Sequence, residues 1–133
     1  MRDLAARLIA YETMGAKSSD PGHPGAFHVC ERLRPHLAAL MGRGGFLAVL
    51  ARTLAVARGE VPWLAAVEVA TDGSLKGWEK LEMEVKPNLR AEGNVILVAH
   101  LLGLLVAFIG DNLTLRLVRD VWPNVSLEDL KFT

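Results

Sequence analysis

Residues 94–110 read NVILVAHLLGLLVAFIG and form the longest apolar stretch of the chain, with no charged side chain. Glu92 stands just before this run and Asp111 just after it. Apart from Asn94, its conspicuous polar member is His100. A run of this length and composition predicts a long helix that the rest of the fold packs around.

Small residues recur inside the run at helical spacing. They fall at intervals of four, four and three positions, which places them on one face of a helix, and they are Ala99, Gly103, Ala107 and Gly110. A stripe without bulky side chains lets a second backbone come close. We therefore expect this stripe at a close helix crossing, within the chain or between subunits.

The same run invites comparison with a membrane span. Its seventeen residues would make a helix about 25 Å long, against roughly 30 Å of hydrocarbon in a bilayer. His100 would be costly in lipid, and no pair of basic or aromatic anchors brackets both ends. The pattern also continues past Gly110 as an amphipathic segment that Pro123 ends. These features favour a buried helix over 93–122, with Gly110 as its one break signal.

Composition limits the class of protein. The chain has 133 residues, of which 51% are hydrophobic, and its mean hydropathy is +0.26, so a single domain over 1–133 can bury a real core. Fifteen basic and fifteen acidic residues balance. Without a basic field, the sequence argues against a nucleic-acid partner.

Charge is nevertheless unevenly distributed along the chain. Residues 1–59 carry a net charge of +4 and residues 60–93 a net charge of −3. This asymmetry favours complementary surfaces within the fold or between subunits. Cys30 is the one cysteine, which excludes an intramolecular disulfide, and the charged N-terminal residues do not resemble a signal peptide. The sequence therefore predicts a cytoplasmic protein.

The first half of the chain predicts helices separated by glycine and proline signals. A helix fits 3–14, and the segment 15–25 is rich in glycine, proline and serine and predicts a loop. A second helix should begin near Ala26, with a kink or break near Arg34, because Pro35 lacks a backbone N–H and clashes with the carbonyl four residues back. Glycines at 42–45 predict the next turn, and a third helix fits 46–58.

The stretch 63–91 is ambiguous. Two segments alternate with period two, as strands do, and Asp72-Gly73 between them is a turn signal. Trp78, Leu81 and Val85 also fit one face of a helix. We expect a short β-hairpin within 64–86, with the helix as the alternative.

Candidate chemistry is sparse. His23, His28, Cys30 and His36 cluster with Glu31 and are the residue types that bind zinc or perform nucleophilic catalysis. Their spacing matches no established metal motif, and Cys30 falls on an apolar helical stripe. We therefore predict a core role for Cys30, no metal site and no cofactor.

Two further residues are candidates for ligand binding. Arg43 stands in the glycine-rich turn before a helix, where backbone N–H groups can hold an anion. His100 could orient a ligand or transfer a proton, although a buried histidine bonded to a neighbouring helix is the plainer interpretation.

The sequence thus predicts a mainly α fold, a single-domain bundle of four to five helices around a long apolar central helix. It shows no catalytic constellation, which favours a non-enzymatic interaction or regulatory module that self-associates, as a dimer. One alternative is a binder of a small apolar ligand, with His100 or an arginine orienting the ligand. Another is an enzyme that uses His28, Cys30 or His100.

Overall fold

A computed structural model describes residues 2–16 and 25–125 of the chain, and helices dominate this part. This part has four long helices, one short helix and a two-stranded hairpin, which confirms the predicted helical bundle. In chain order the elements are α1 (Arg2–Ala16), α2 (Gly25–Glu60), a 3₁₀ turn (Pro62–Ala66), β1 (Glu68–Val69), β2 (Leu75–Lys76), α3 (Trp78–Glu84), α4 (Pro87–Ile109) and α5 (Asp111–Val121).

Helix α4 is the central element and packs mainly against α2 and α1. One face carries leucine and valine side chains that are at most 1% exposed, namely Leu97, Val98, Leu101, Leu102 and Leu105. The helix ends at Gly110, whose φ of 86° lies in the region that side chains disfavour. The predicted apolar helix is therefore confirmed, and the break at Gly110 divides it from the amphipathic α5.

Helix α2 continues through Pro35, so the predicted break near Arg34 is wrong. Pro35 is exposed, so the hydrogen bond it removes lies on the solvent side, while Leu33 and Leu37 keep both flanks packed in the core. The interruption comes instead at Gly42, with φ 76° and ψ 165°. A glycine can adopt this conformation without steric cost.

Helices α1 and α2 approach each other closely at Gly25. A Cβ there would lie 2.5 Å from Oγ1 of Thr13 and 2.7 Å from the carbonyl oxygen of Ile9. Leu4 and Leu8 of α1 are fully buried in the core. Most of the predicted loop 15–25 lies outside the described residues.

The hairpin is present but shorter than predicted. Glu68 pairs with Lys76 and Val69 with Leu75 in antiparallel register, and Gly73 has the positive φ that the turn requires. The alternating residues after it belong to helix α3, so the helical alternative holds for that segment. The segment is helical because Trp78 and Leu81, three positions apart, lie on one helical face and are both buried.

The C-terminal end of α5 is tied to the opposite end of the chain. The indole Nε1 of Trp122 donates to Oε2 of Glu12 over 3.2 Å, and Nη2 of Arg32 donates to the carbonyl of Val121 over 2.8 Å. Trp122 is fully buried. These contacts fasten the end of α5 to α1 and α2.

Candidate functional site

An open groove of about 390 Å³ lies where α2 and α4 run side by side, with the first residue of α1 at its edge. We call it the α2–α4 groove. Its walls and floor are mostly apolar, and it is lined by Arg2, Val56, Glu60, Ile96, Ala99, His100, Gly103 and Leu104.

Three ionisable side chains meet in this groove, one from each helix. Nε2 of His100 lies 2.9 Å from Oε1 of Glu60, and Nη2 of Arg2 lies 3.3 Å from the other carboxylate oxygen. The side chains are 28%, 45% and 66% exposed for His100, Glu60 and Arg2. The imidazole is thus the most sheltered member and has a partner on a neighbouring helix.

The small-residue stripe of α4 runs along this groove and beyond it. Among the described residues, a Cβ built on Gly103 would meet no atom within 4 Å. Gly110, predicted as the last member of the stripe, lies beyond the end of α4 with a φ of 86°, so it does not continue the helical face. Ala107 is exposed, and Ala99 is partly buried against the core. Within the described residues, the stripe therefore has no close backbone neighbour at Gly103, which leaves the alternative between subunits as a prediction.

The helices that form the groove expose much apolar surface. By length and composition, α2 and α4 could each cross a membrane, with mean hydropathies of 1.4 and 2.0 over eighteen residues. Only 28% and 50% of these stretches are buried. Val56 in the groove and Phe108 beyond it are 37% and 64% exposed. The exposed apolar side chains of α2 and α4 make this side of the bundle a candidate contact surface.

Arg43, the second candidate for ligand binding, lies elsewhere. Its Nη2 donates to the carbonyl of Thr71 over 2.6 Å, and Arg34 donates to the carbonyl of Asp72 over 3.2 Å. Arg43 of the glycine-rich turn and Arg34 of the preceding part of α2 thus both bind the hairpin. Hydrogen bonds from the hydroxyl and backbone N–H of Ser74, and more weakly the positive charge of Arg34, lower the pKa of Asp72. The structure does not bring Arg43 to His100.

The histidine–cysteine cluster does not form a metal site in residues 2–16 and 25–125. No group of three His, Cys, Asp or Glu side chains there could hold an ion; His23 lies outside these residues. His28 stacks edge-on against Phe27, with centroids 5.5 Å apart, and His36 is exposed.

Cys30 is a core residue. It is 4% exposed, and burial, helped by the charge of Glu31, raises the pKa of its thiol to about 12. A thiol with that pKa stays protonated at neutral pH and is a poor nucleophile. The geometry therefore disfavours an enzyme that uses Cys30.

Glu60 and Arg2 are the groove residues that sequence reasoning missed. Each stands at the end of a helix far from His100 in the chain, and no local spacing links them. The one available signal was His100 inside the uncharged run, because a partly buried imidazole usually has a hydrogen-bond partner on a neighbouring element.

No protein-family model, curated protein or solved structure matches this chain. The functional argument therefore depends on the groove and its surroundings.

Proposed function

We propose that this protein is a non-enzymatic interaction module that associates with a second copy of itself through the α2–α4 groove. The observation that carries the proposal is the open space above Gly103, where a Cβ would touch nothing within 4 Å. A glycine in a helix interior costs about 0.5–1 kcal/mol relative to alanine. A helix from a second copy can use that space for close backbone packing.

A second copy fits the groove better than a bilayer does. Arg2, Glu60 and His100 line it, and Arg52 is exposed further along α2. Ionisable groups are costly in hydrocarbon, whereas the rim of a protein interface is polar and can pair them. The same proposal places the module in the cytoplasm, consistent with one unpaired, buried cysteine.

The test is the oligomeric state of full-length protein with and without a bulky side chain in the groove. Sedimentation velocity over a range of concentrations should show a dimer for the wild type. The dissociation constant of Gly103→Leu should be at least about tenfold larger than that of the wild type. A leucine side chain at a close helix crossing should cost more than about 1.4 kcal/mol of association free energy, which corresponds to a factor of ten. Leu104→Lys should act in the same direction by introducing a charge.

Gly44→Leu is the matched control. Gly44 is an exposed glycine in α2, and a Cβ there also meets nothing within 4 Å, but it does not line the groove. It should fold and associate as the wild type does. A monomeric wild type, or equal association of the Gly103→Leu and Gly44→Leu variants, would refute the proposal.

Binding of a small apolar ligand is the second candidate, favoured by the size and chemistry of the groove. Its volume of about 390 Å³ falls within the range of roughly 300–1,000 Å³ typical of ligand pockets. Ile96, Ala99 and Leu104 supply an apolar lining, and His100 supplies a polar group. The test is titration of the monomer with a fluorescent fatty-acid analogue. Saturable binding that Gly103→Leu abolishes and Gly44→Leu preserves would support this candidate; binding equal in all three proteins would exclude it.

A further inference from the structure

We propose that protonation of His100 disfavours covering of the α2–α4 groove by a second copy, so that self-association weakens as the solution becomes acidic. This inference rests on the proposed function, since it concerns the regulation of the same surface. It starts from the one cluster of ionisable groups that lines the groove.

Three helices contribute to the groove, and each supplies one ionisable side chain: Arg2 from α1, Glu60 from α2 and His100 from α4. Both carboxylate oxygens of Glu60 are engaged, Oε1 by the imidazole at 2.9 Å and Oε2 by the guanidinium at 3.3 Å. Arg2 already balances the charge of Glu60. With neutral His100 the cluster therefore carries no net charge.

A proton added to His100 changes both charge and hydrogen bonding. With Nε2 donating to Glu60, the proton goes to Nδ1, and both ring nitrogens become donors. The cluster then carries one surplus positive charge. In the open groove the ring is 28% exposed, so water can accept from Nδ1.

Covering the groove removes that water. Ile96, Ala99, Gly103 and Leu104 offer no side-chain acceptor, and the surplus charge would be repeated on both copies. Burying an unpaired donor and an unbalanced charge is costly. Proton binding and covering of the groove therefore oppose each other, and by linkage acid favours separate copies.

Sedimentation equilibrium of the full chain at about pH 5.5 and about pH 7.5 tests this, because histidine ordinarily changes charge between them. The dissociation constant of the wild type should be about tenfold larger at the lower pH. His100→Gln keeps a donor for Glu60 but cannot gain a proton there, and its constant should be nearly unchanged. His36→Gln, at an exposed histidine outside the groove, should behave as the wild type.

Association that is equally strong at both pH values overturns this inference but leaves the proposed function intact. A pH dependence that survives in His100→Gln also overturns it. A protein that is monomeric throughout refutes the proposed function and this inference together. Nuclear magnetic resonance of the wild type gives a check free of substitutions, since the His100 ring should become protonated at lower pH in concentrated than in dilute samples. Equal titration in both samples would contradict the inference.

Discussion

Gly93 and Gly103 lie on the same helix, and their surroundings are opposite. A Cβ at Gly93 would lie 2.2 Å from Cζ2 of Trp63 and 3.0 Å from a methyl carbon of Val61. A Cβ at Gly103 would meet no atom within 4 Å. The first glycine is required by packing that the chain completes on its own. The second leaves space that the described chain does not fill, which is why we assign that surface to a partner.

The contrast extends to the polar groups on the two sides of the bundle. On the closed side, the Trp122 indole and the Arg32 guanidinium are bonded to Glu12 and to a backbone carbonyl. In the groove, Glu60 and His100 bond to each other while both stay partly exposed. Substitutions on the closed side should therefore change the free energy of unfolding, whereas substitutions in the groove should change the dissociation constant of the proposed dimer.

The largest expected effect is a loss of stability from truncating a leucine on the buried face of α4, compared with the same truncation on its groove face. Leu101→Ala should lower the free energy of unfolding by about 3 kcal/mol, because it deletes buried methyl groups and leaves a cavity. Leu101 is 1% exposed. Leu104→Ala, on the groove face, should cost less than about 1 kcal/mol. Urea unfolding of dilute, monomeric protein measures both. Equal losses would mean that the groove is closed in the monomer.

Gly93→Ala should lower the free energy of unfolding by about 2 kcal/mol, because the new methyl group must displace the Trp63 ring. The general preference of helices for alanine opposes this loss only partly. Urea unfolding, with Trp63 fluorescence as a local signal, gives the value. A stabilised variant would show that the ring moves away freely and that the contrast with Gly103 is smaller than the structure indicates.

The pH dependence of stability that arises from the Cys30 thiol reports how completely the core excludes water. Its thiol ionises near pH 9 when unfolded, and its pKa is raised to about 12 in the fold. The folded state binds the proton more tightly, so the stability from this group is full below pH 9 and is lost as pH rises towards 12. The loss should be about 1.4 kcal/mol per pH unit over that interval.

The matching measurement is urea unfolding at several alkaline pH values for the wild type and Cys30→Ala. Other groups titrate in both proteins, so the difference between their slopes isolates the thiol. The wild type should lose stability more steeply than the variant. Parallel slopes would show that solvent reaches Cys30.

Gly103→Ala should have the smallest effect and the opposite sign. In the monomer it should raise the free energy of unfolding by about 0.5–1 kcal/mol, since alanine loses less backbone entropy and its Cβ meets no atom of the described residues within 4 Å. Gly44→Ala, at an exposed helical glycine outside the groove, should give a similar gain. Thermal unfolding of dilute samples measures both. A loss at Gly103 alone would reveal an intrachain contact above it.

Much of the fold could be predicted because its signals are local. The uncharged run over 94–110 predicted a long apolar helix, because a helix satisfies its own backbone hydrogen bonds while one face of the run packs in the core. Asp72-Gly73 specified a turn, because glycine adopts positive φ without steric cost. Gly110 was recognisable as a break for the same reason. The hairpin was predicted too long because the period-two pattern at 81–86 competed with a helical face that packing favoured.

Other features depended on distant parts of the chain. Pro35 and Gly42 are both helix-breaking residues, and local chemistry favours a break at the proline. The structure breaks at Gly42 because Pro35 faces solvent while the leucines beside it stay in the core. His100 had no partner within its own helix, and Glu60 came to it only through the packing of α2 against α4.

By itself, then, the sequence determined that this chain is helical, that its central helix is apolar and that a stripe of small residues runs along that helix. Periodicity and hydropathy depend on neighbours along the chain, so these properties could be inferred without coordinates. The tertiary structure decided which small residues have close neighbours and which have open space beside them. Gly93 and Gly103 are the same residue in the same helix, and only the position of Trp63 beside one of them makes their roles differ.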